Sequence, residues 1–182
     1  MGTLFVDKLD PQSGTSLEIG SSGDTITIPS GATITNSGTA TGFGELNTPN
    51  FSVRGTANTS CADNTATKLS VGAEDWDSDS AFDLGSNNRF TVPSGEAGKY
   101  VFFARCYGPF TANVNFFEIR LYKNGSNFGS TSSVHENYNT HLMTRVVDAS
   151  VGDYFEIYVR QSGSSSTQNV QLYEFSGFRI SS

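Results

Sequence analysis

The chain has 182 residues, a length that suits one or two domains. Hydrophobic residues make up only 36% of it, but 14 Phe and 7 Tyr supply large side chains that can fill a thin core. The formal net charge is −7 and no stretch concentrates Lys or Arg, which excludes the basic surface typical of nucleic-acid binding.

The N-terminal residues 1–8 show no basic segment followed by a long apolar core, so we expect no secretory signal. No run of about 18 apolar residues occurs elsewhere, so we also expect no membrane insertion.

Residues 17–40 carry a repeat with a period of eight: LEIGSSGD, TITIPSGA and TITNSGTA. Each unit is a short β-branched run closed by a Ser/Gly turn, and the alternation of Thr and Ile gives each run one apolar face. One such ribbon cannot bury that face alone, but it can do so by stacking on neighbouring repeats or on other chains. The repeat predicts a narrow, intertwined β-stem. A Ser/Gly-rich tail that orders only on docking is the alternative.

Composition changes near residues 44–50, because large aromatic side chains are nearly absent before this point and dominate after it. Residues 42–50 are therefore interpreted as a linker. The predicted organisation is an N-terminal anchoring leader, β-stem and linker over residues 1–49, followed by a second domain over residues 50–182, called the knob below.

The knob consists of predicted strands separated by turns. Asn124-Gly125 is a strong hairpin signal, Ser150 to Asp153 forms a further turn, and Pro93 ends one strand. Strand spacings near ten residues with no helical pattern indicate an all-β sandwich or jelly roll. The predicted strands cover residues 51–54, 67–71, 89–92, 99–107, 116–122, 141–147, 154–160 and 170–180.

Alternation assigns faces in two of these strands. Phe155, Ile157 and Val159 face the core, as do alternate residues of strand 116–122. The outward positions of strand 154–160 carry Tyr, Glu and Arg, a composition typical of an interface. An ordinary amphipathic sheet face is the alternative.

Five phrases of the knob together resemble the globular domain shared by complement C1q and the tumour necrosis factor superfamily. They are Phe-Ser-Val-Arg at 51–54, Arg-Phe-Thr-Val-Pro at 89–93 with Gly-Lys-Tyr-Val-Phe at 98–102, Leu-Tyr-Lys-Asn-Gly at 121–125, Val-Gly-Asp at 151–153, and Phe-Ser-Gly-Phe at 175–178. The collagen stalk of C1q is absent, because there is no Gly-x-y repeat. The resemblance implies a ten-stranded jelly-roll sandwich that forms homotrimers through aromatic sheet faces. On it, the candidate interface residues are Tyr100, Phe102, Tyr154, Tyr158, Phe175 and Phe178.

The N-terminal part resembles a different group of proteins. Residues 4–9 and 14–19, followed by the Thr-Ile-Thr-Ile run, are similar to the N-termini of tail-fibre and other virion structural proteins of marine bacteriophages. Such proteins often end in a C1q-like knob.

An acidic run is the best candidate for a metal site. Its three carboxylates at alternate positions match the first three ligands of a calcium loop: Asp75, Asp77 and Asp79. Ser80 stands where that loop needs Gly, and Ser86 where it needs Glu, so an EF-hand is excluded and an irregular calcium loop remains. The alternative is a solvated acidic loop with Trp76 or Phe82 turned inward. We expect no other cofactor.

The remaining reactive residues suggest no catalytic site. Cys61 and Cys106 allow one disulfide, but two reduced, buried thiols are the favoured interpretation. His135 and His141 have no partner at metal-binding spacing. No nucleophile elbow or phosphate-binding motif occurs.

Two glutamates offer a possible carboxylate pair for glycoside cleavage. Glu156 and Glu118 are instead predicted to form ion pairs with Arg160 and Arg120 on a sheet face.

Together, the two resemblances imply a non-enzymatic bacteriophage structural protein, a trimeric tail or head fibre at the virion surface. Its N-terminal segment would bind other virion proteins. Its loops at 108–113, 124–138 and 162–168 would bind a host-surface receptor or glycan. The alternatives are a capsid decoration protein, a secreted C1q-like recognition module and a fibre-borne depolymerase.

Overall fold

The structure, a computed structural model, describes residues 8–38, 47–108, 114–134, 139–163 and 166–181. The chain divides into two compact units, Met1–Phe43 and Gly44–Ser182. These described residues form twelve β-strands and contain no helix, so none that could span a membrane. The strands are β1 (Asn50–Arg54), β2 (Thr59–Cys61), β3 (Thr67–Lys68), β4 (Ala73–Asp77), β5 (Phe82–Asp83), β6 (Arg89–Thr91), β7 (Gly98–Gly108), β8 (Phe116–Lys123), β9 (Ser126–Val134), β10 (Asn139–Ala149), β11 (Tyr154–Ser162) and β12 (Gln168–Ser181).

The strands of the second unit form two antiparallel sheets. The front sheet has the order β10-β7-β12-β1-β4, with β2 paired to β12; the back sheet has the order β5-β6-β11-β8-β9, with β3 paired to β11. The predicted all-β jelly-roll sandwich is confirmed. The described residues form twelve strands rather than ten. Among them are β2, β3 and β5, segments of two or three residues that add short pairings to β12, β11 and β6.

The core between the sheets is built from aromatic rings, as the composition predicted. The Phe102 ring lies 4.5 Å from that of Phe155 on the opposite sheet and 5.8 Å from those of Phe90 and Phe175. Phe51 stacks on Phe90 at 4.8 Å. Strands from both sheets therefore contribute to one continuous cluster, in which each large ring buries much apolar area.

The predicted hairpin at Asn124-Gly125 joins β8 to β9. Both residues have positive φ, 52° and 78°, as a two-residue hairpin turn requires. The Asn124 amide donates to Asp153 Oδ1 at 2.7 Å, and Lys123 Nζ lies 2.7 Å from Asp153 Oδ2. The Ser150 N–H also donates to this carboxylate, so Asp153 ties the turn before β11 to the hairpin.

We predict that Asp153→Asn destabilises the knob and makes its free energy of unfolding depend less on pH in the acidic range. Partial burial by itself raises the pKa of Asp153, but the bonds from Lys123, Asn124 and Ser150 outweigh it and lower the pKa to about 2. Because the folded-state pKa lies below the ordinary value, this contribution is present above about pH 4 and is lost as the pH falls toward 2.

Urea unfolding at neutral pH should show a loss of about 1–3 kcal/mol for Asp153→Asn. Asp148→Asn, at an exposed position near the end of β10, is the control. An unchanged unfolding midpoint for Asp153→Asn would contradict the structural role of this carboxylate.

The first unit is described over residues 8–38, which form turns but no strand in the single chain. Backbone hydrogen bonds close turns from Ser21 to Asp24 and from Pro29 to Ala32, at the predicted Ser/Gly positions. The apolar side chains between the turns are exposed: Leu17, Ile19, Ile26, Ile28 and Ile34. The intertwined stem of several chains stays a prediction.

Candidate assembly face

The front face, which is the surface of the front sheet that points away from the core, carries a contiguous group of apolar side chains. Phe103 on β7 pairs in register with Ser176 on β12, and the same row continues through Ser52 to Trp76 on β4. Single exposed apolar residues are common, whereas a group of them on one surface marks an interaction site. Five such side chains are 40–69% exposed: Trp76, Phe103, Leu142, Val146 and Leu172.

Shallow grooves separate these side chains. One of about 450 Å³ lies between Trp76, Phe103 and Phe178 and is also lined by Asn50. A second of about 310 Å³ lies between Phe103 and Leu142. The front face thus combines protruding apolar groups and recesses that fit apolar groups, the two elements that complementary packing needs.

The charged side chains of the front face are balanced. Arg105 forms an ion pair with Glu174, its register partner on the next strand, at 2.6 Å. Another ion pair joins Arg54 to Asp75, and Lys99 lies opposite Asp148. The chain as a whole carries a formal charge of −7. Two copies therefore repel each other less through this face than through the rest of their surface.

The outer face of the back sheet differs in composition, because charged residues and tyrosines that contact each other line strands β8 and β11 there. Arg120 Nε donates to Glu118 at 2.6 Å, which confirms one predicted ion pair. The other was wrong: Glu156 is buried under Lys68, whose Nζ lies 2.5 Å away. Lys68 on the neighbouring short strand β3 reaches this carboxylate, and β3 is placed there by its pairing with β11.

The six candidate interface residues lie in three different places. Tyr100, Phe102 and Phe175 are buried in the core, 0–3% exposed, so their assignment to an interface is corrected: they have no surface to offer a partner. Phe178 lines the large groove of the front face. Tyr154 and Tyr158 are partly exposed on the back sheet, where Tyr158 stacks on Tyr122 at 4.0 Å. An interface role for the last three stays a prediction.

The structure does not assemble the predicted calcium loop. Asp75 is paired with Arg54, and Asp77 Oδ2 accepts the backbone N–H of Phe82 at 2.7 Å. Asp79 contacts Ser78. Among the residues that the structure describes, no three His, Cys, Asp or Glu side chains converge on one point as metal ligands do. Phe82 is turned into the core, whereas Trp76 is exposed on the front face.

We predict that Asp77→Ala destabilises the knob by about 1 kcal/mol because the Phe82 N–H loses its acceptor. The loss should be the same in excess calcium and in chelator, as measured by thermal unfolding. Asp79→Ala, which leaves that bond intact, is the control. A rise in the unfolding temperature on adding calcium that Asp77→Ala abolishes would restore the calcium loop.

Both cysteines are free and buried, which confirms the favoured interpretation. Burial raises the pKa of both thiols, so both are held in the unreactive protonated form. His141 packs against Phe117 with 4.6 Å between the ring centroids. His135 lies outside the described residues.

The predicted contact loops fall at two ends of the sandwich. The chain enters the knob where Asn50 pairs with Phe178, near the end of β12. At the opposite end, called the distal end below, Gly108 pairs with Asn139 and Phe116 pairs with both Val134 and Ser162. The loops around residues 109–113, 135–138 and 164–165 start from these strand ends, although these residues themselves lie outside the described part.

The predicted loop 124–138 needs correction. Residues Ser126–Val134 form strand β9, and Asn124 lies at the end of the sandwich where the chain enters, bonded to Asp153. Sequence reasoning also missed Phe103, Leu142, Val146 and Leu172. For Phe103, Leu142 and Val146 the signal was present, because each occupies the strand position opposite in parity to a buried neighbour.

No protein-family profile matches the chain, and no curated protein is significantly similar to it. Among solved structures, the globular domain of zebrafish complement 1qA is 15% identical, with a TM-score of 0.54, and the match covers 73% of this chain and 98% of that one. Eiger TNF from S. frugiperda is 10% identical, with a TM-score of 0.55 over 72% and 92%. The PRD1 vertex protein P5 is 13% identical, with a TM-score of 0.53 over 72% and 96%. At such identities the likeness shows the fold alone: the knob is a C1q/TNF-like jelly roll.

Proposed function

We propose that the protein is a non-enzymatic structural component of a bacteriophage virion, a trimeric surface spike or fibre. Residues 1–49 anchor it to other virion proteins, and the knob of residues 50–182 contacts a receptor or glycan on the host surface. The observation that carries the proposal is the front face, which is apolar, grooved and balanced in charge on a chain that is otherwise acidic.

A second copy of the same chain is the partner that suits this face best. Its protruding side chains and its recesses lie on one surface, so one copy offers groups that another can accept. The pairing of Arg105 with Glu174 leaves no net charge at its centre to oppose contact between like chains. The resemblance to the C1q and tumour necrosis factor domains implies that three copies associate.

The N-terminal unit also exposes apolar side chains that further copies of the chain would cover. Its exposed Leu and Ile side chains recur between turns at intervals of eight or nine residues, and nothing in a single described chain covers them. Three such segments side by side would bury these side chains against each other. The fold likeness to a viral vertex protein supports placing this spike on a virion.

The distal end suits host contact because it faces away from the point where the chain enters the knob. Loops on a rigid scaffold usually carry recognition. The loop sequences there are rich in Ser, Asn, Gly and Thr, which make adaptable polar contacts.

Binding of the labelled, intact protein to host cells and to empty virion shells tests this function. We expect it to bind host cells and to be displaced from them by an antibody fragment raised against the loop at 162–168. Binding to empty shells but not to cells would favour capsid decoration. Release of sugars from host polysaccharide would contradict the non-enzymatic role.

A further inference from the structure

Leu172 is the most exposed of the large apolar side chains that the structure describes, at 69%. Its backbone has a φ of 41°, in the left-handed region that leucine rarely adopts. The other four described non-glycine residues with positive φ are Asn64, Ser80, Asn88 and Asn124, short polar residues that tolerate this conformation better. Leu172 therefore combines an unfavourable backbone conformation with unfavourable exposure of its apolar side chain to solvent.

A β-bulge produces this conformation. The register between β12 and β7 shifts between Gln171 and Glu174, which turns the side chain of Leu172 out onto the front face. Such strain persists only where the surroundings hold it in place, and it concentrates at functional sites.

Tyr173, the next residue, holds the bulge. Its side chain is buried, and its hydroxyl lies 2.8 Å from the Ser70 carbonyl oxygen and 3.0 Å from that of Ala57. Its ring lies so close to Gly55 that a Cβ there would come within 2.3 Å of it. The inward Tyr173 is fixed on both sides, and this fixes the outward projection of Leu172.

The surroundings of Leu172 fit an apolar partner. A recess of about 130 Å³ is lined by Leu172 itself together with Arg105, Tyr107 and Thr140. This approaches the roughly 150 Å³ of a cavity that accepts a benzene-sized group. Glu174, the next outward residue of β12, holds the Arg105 guanidinium at the edge of this recess. A protruding leucine and a recess thus lie side by side on the front face.

We propose that Leu172 is an anchor residue of the contact between copies of this chain, inserted beside the recess of the neighbouring copy at the distal half of the front face. The proposal rests on the proposed homotrimer and names the side chain on which the affinity between its copies depends. Buried central side chains of this kind dominate interface energies, while the contacts around them are nearly neutral.

Leu172→Asn and Leu172→Gly test the proposal, because both residues suit the left-handed backbone and neither offers an apolar anchor. Donor-labelled and acceptor-labelled intact chains are mixed, and the rate of subunit exchange is followed by energy transfer. We expect exchange at least about tenfold faster for both variants, with circular dichroism unchanged. Leu84→Asn, at an exposed leucine next to β5 of the back sheet, is the matched control and should exchange like the wild type.

Exchange at the wild-type rate in both variants, with the wild type trimeric, would overturn the role of Leu172 and leave the trimer standing. Loss of the β-sheet signal in both variants would also overturn it, because the leucine would then support the fold. A wild-type chain that shows the mass of a monomer would refute the trimer and the anchor together.

Discussion

Phe102→Ala is expected to lower the free energy of unfolding by about 3–5 kcal/mol. The Phe102 ring is fully buried and lies 4.5–6.3 Å from five other rings, which come from both sheets. Alanine would leave a cavity that these rings cannot fill without losing contact with each other. Because a domain has only about 5–15 kcal/mol of stability, this loss should unfold much of the protein near physiological temperature.

Urea unfolding followed by circular dichroism measures this loss, with Phe103→Ala as the matched control. Phe103 is the next residue of β7, 40% exposed on the other side of the sheet, and its truncation should cost the fold less than about 1 kcal/mol. Equal losses for the two variants would contradict the assignment of faces in this strand.

Phe103→Glu is expected to preserve the fold and to dissociate the proposed trimer. Phe103 lines both of the grooves described above. Its ring stacks on that of Phe178, with 6.2 Å between the ring centroids. A carboxylate here would be buried without a partner when copies associate. Three symmetric copies of this change should raise the concentration of half-dissociation by more than about a hundredfold.

Sedimentation velocity of the intact chain measures this dissociation. Phe128→Glu is the control, because Phe128 on β9 is 49% exposed at the edge of the back sheet and receives the same charge. Dissociation by both variants alike would indicate a general effect of added negative charge. Dissociation by Phe128→Glu alone would move the interface to the back sheet.

The sequence predicts those strands best that are half buried. In β8 and β11 apolar and polar residues alternate, and the turns at Asn124-Gly125 and before Asp153 delimit them. Strands β4 and β9 were missed because they lie at sheet edges and bury little on either side. Their acidic and Ser-rich sequences show no apolar alternation, and their conformation depends on pairing with β1 and β8.

The candidate site was harder to predict than the fold. Strand β7 reads Tyr-Val-Phe-Phe from Tyr100 to Phe103, so both of its faces are apolar and alternation alone does not show which one is buried. Cys106 was correctly expected to face inward, and the parity of the strand then places Phe102 in the core and Phe103 outside. The residues of β7 on the front face can therefore be predicted from the sequence once the direction of one side chain in the strand is known.

Leu172 is different, because the alternation of β12 is interrupted there by a bulge. Its outward position depends on Tyr173 being held between Gly55 and the carbonyl of Ser70, residues more than 100 positions away in the chain. No local pattern encodes such a contact.

The mass of the intact chain in solution tests the central claim most directly. Sedimentation equilibrium over a range of concentrations should give three times the chain mass of 19.5 kDa. Trp76, the single tryptophan, is 56% exposed in one chain, so its fluorescence should shift to shorter wavelength on association. A mass of 19.5 kDa at every concentration, with tryptophan emission typical of an exposed ring, would contradict assembly through the front face.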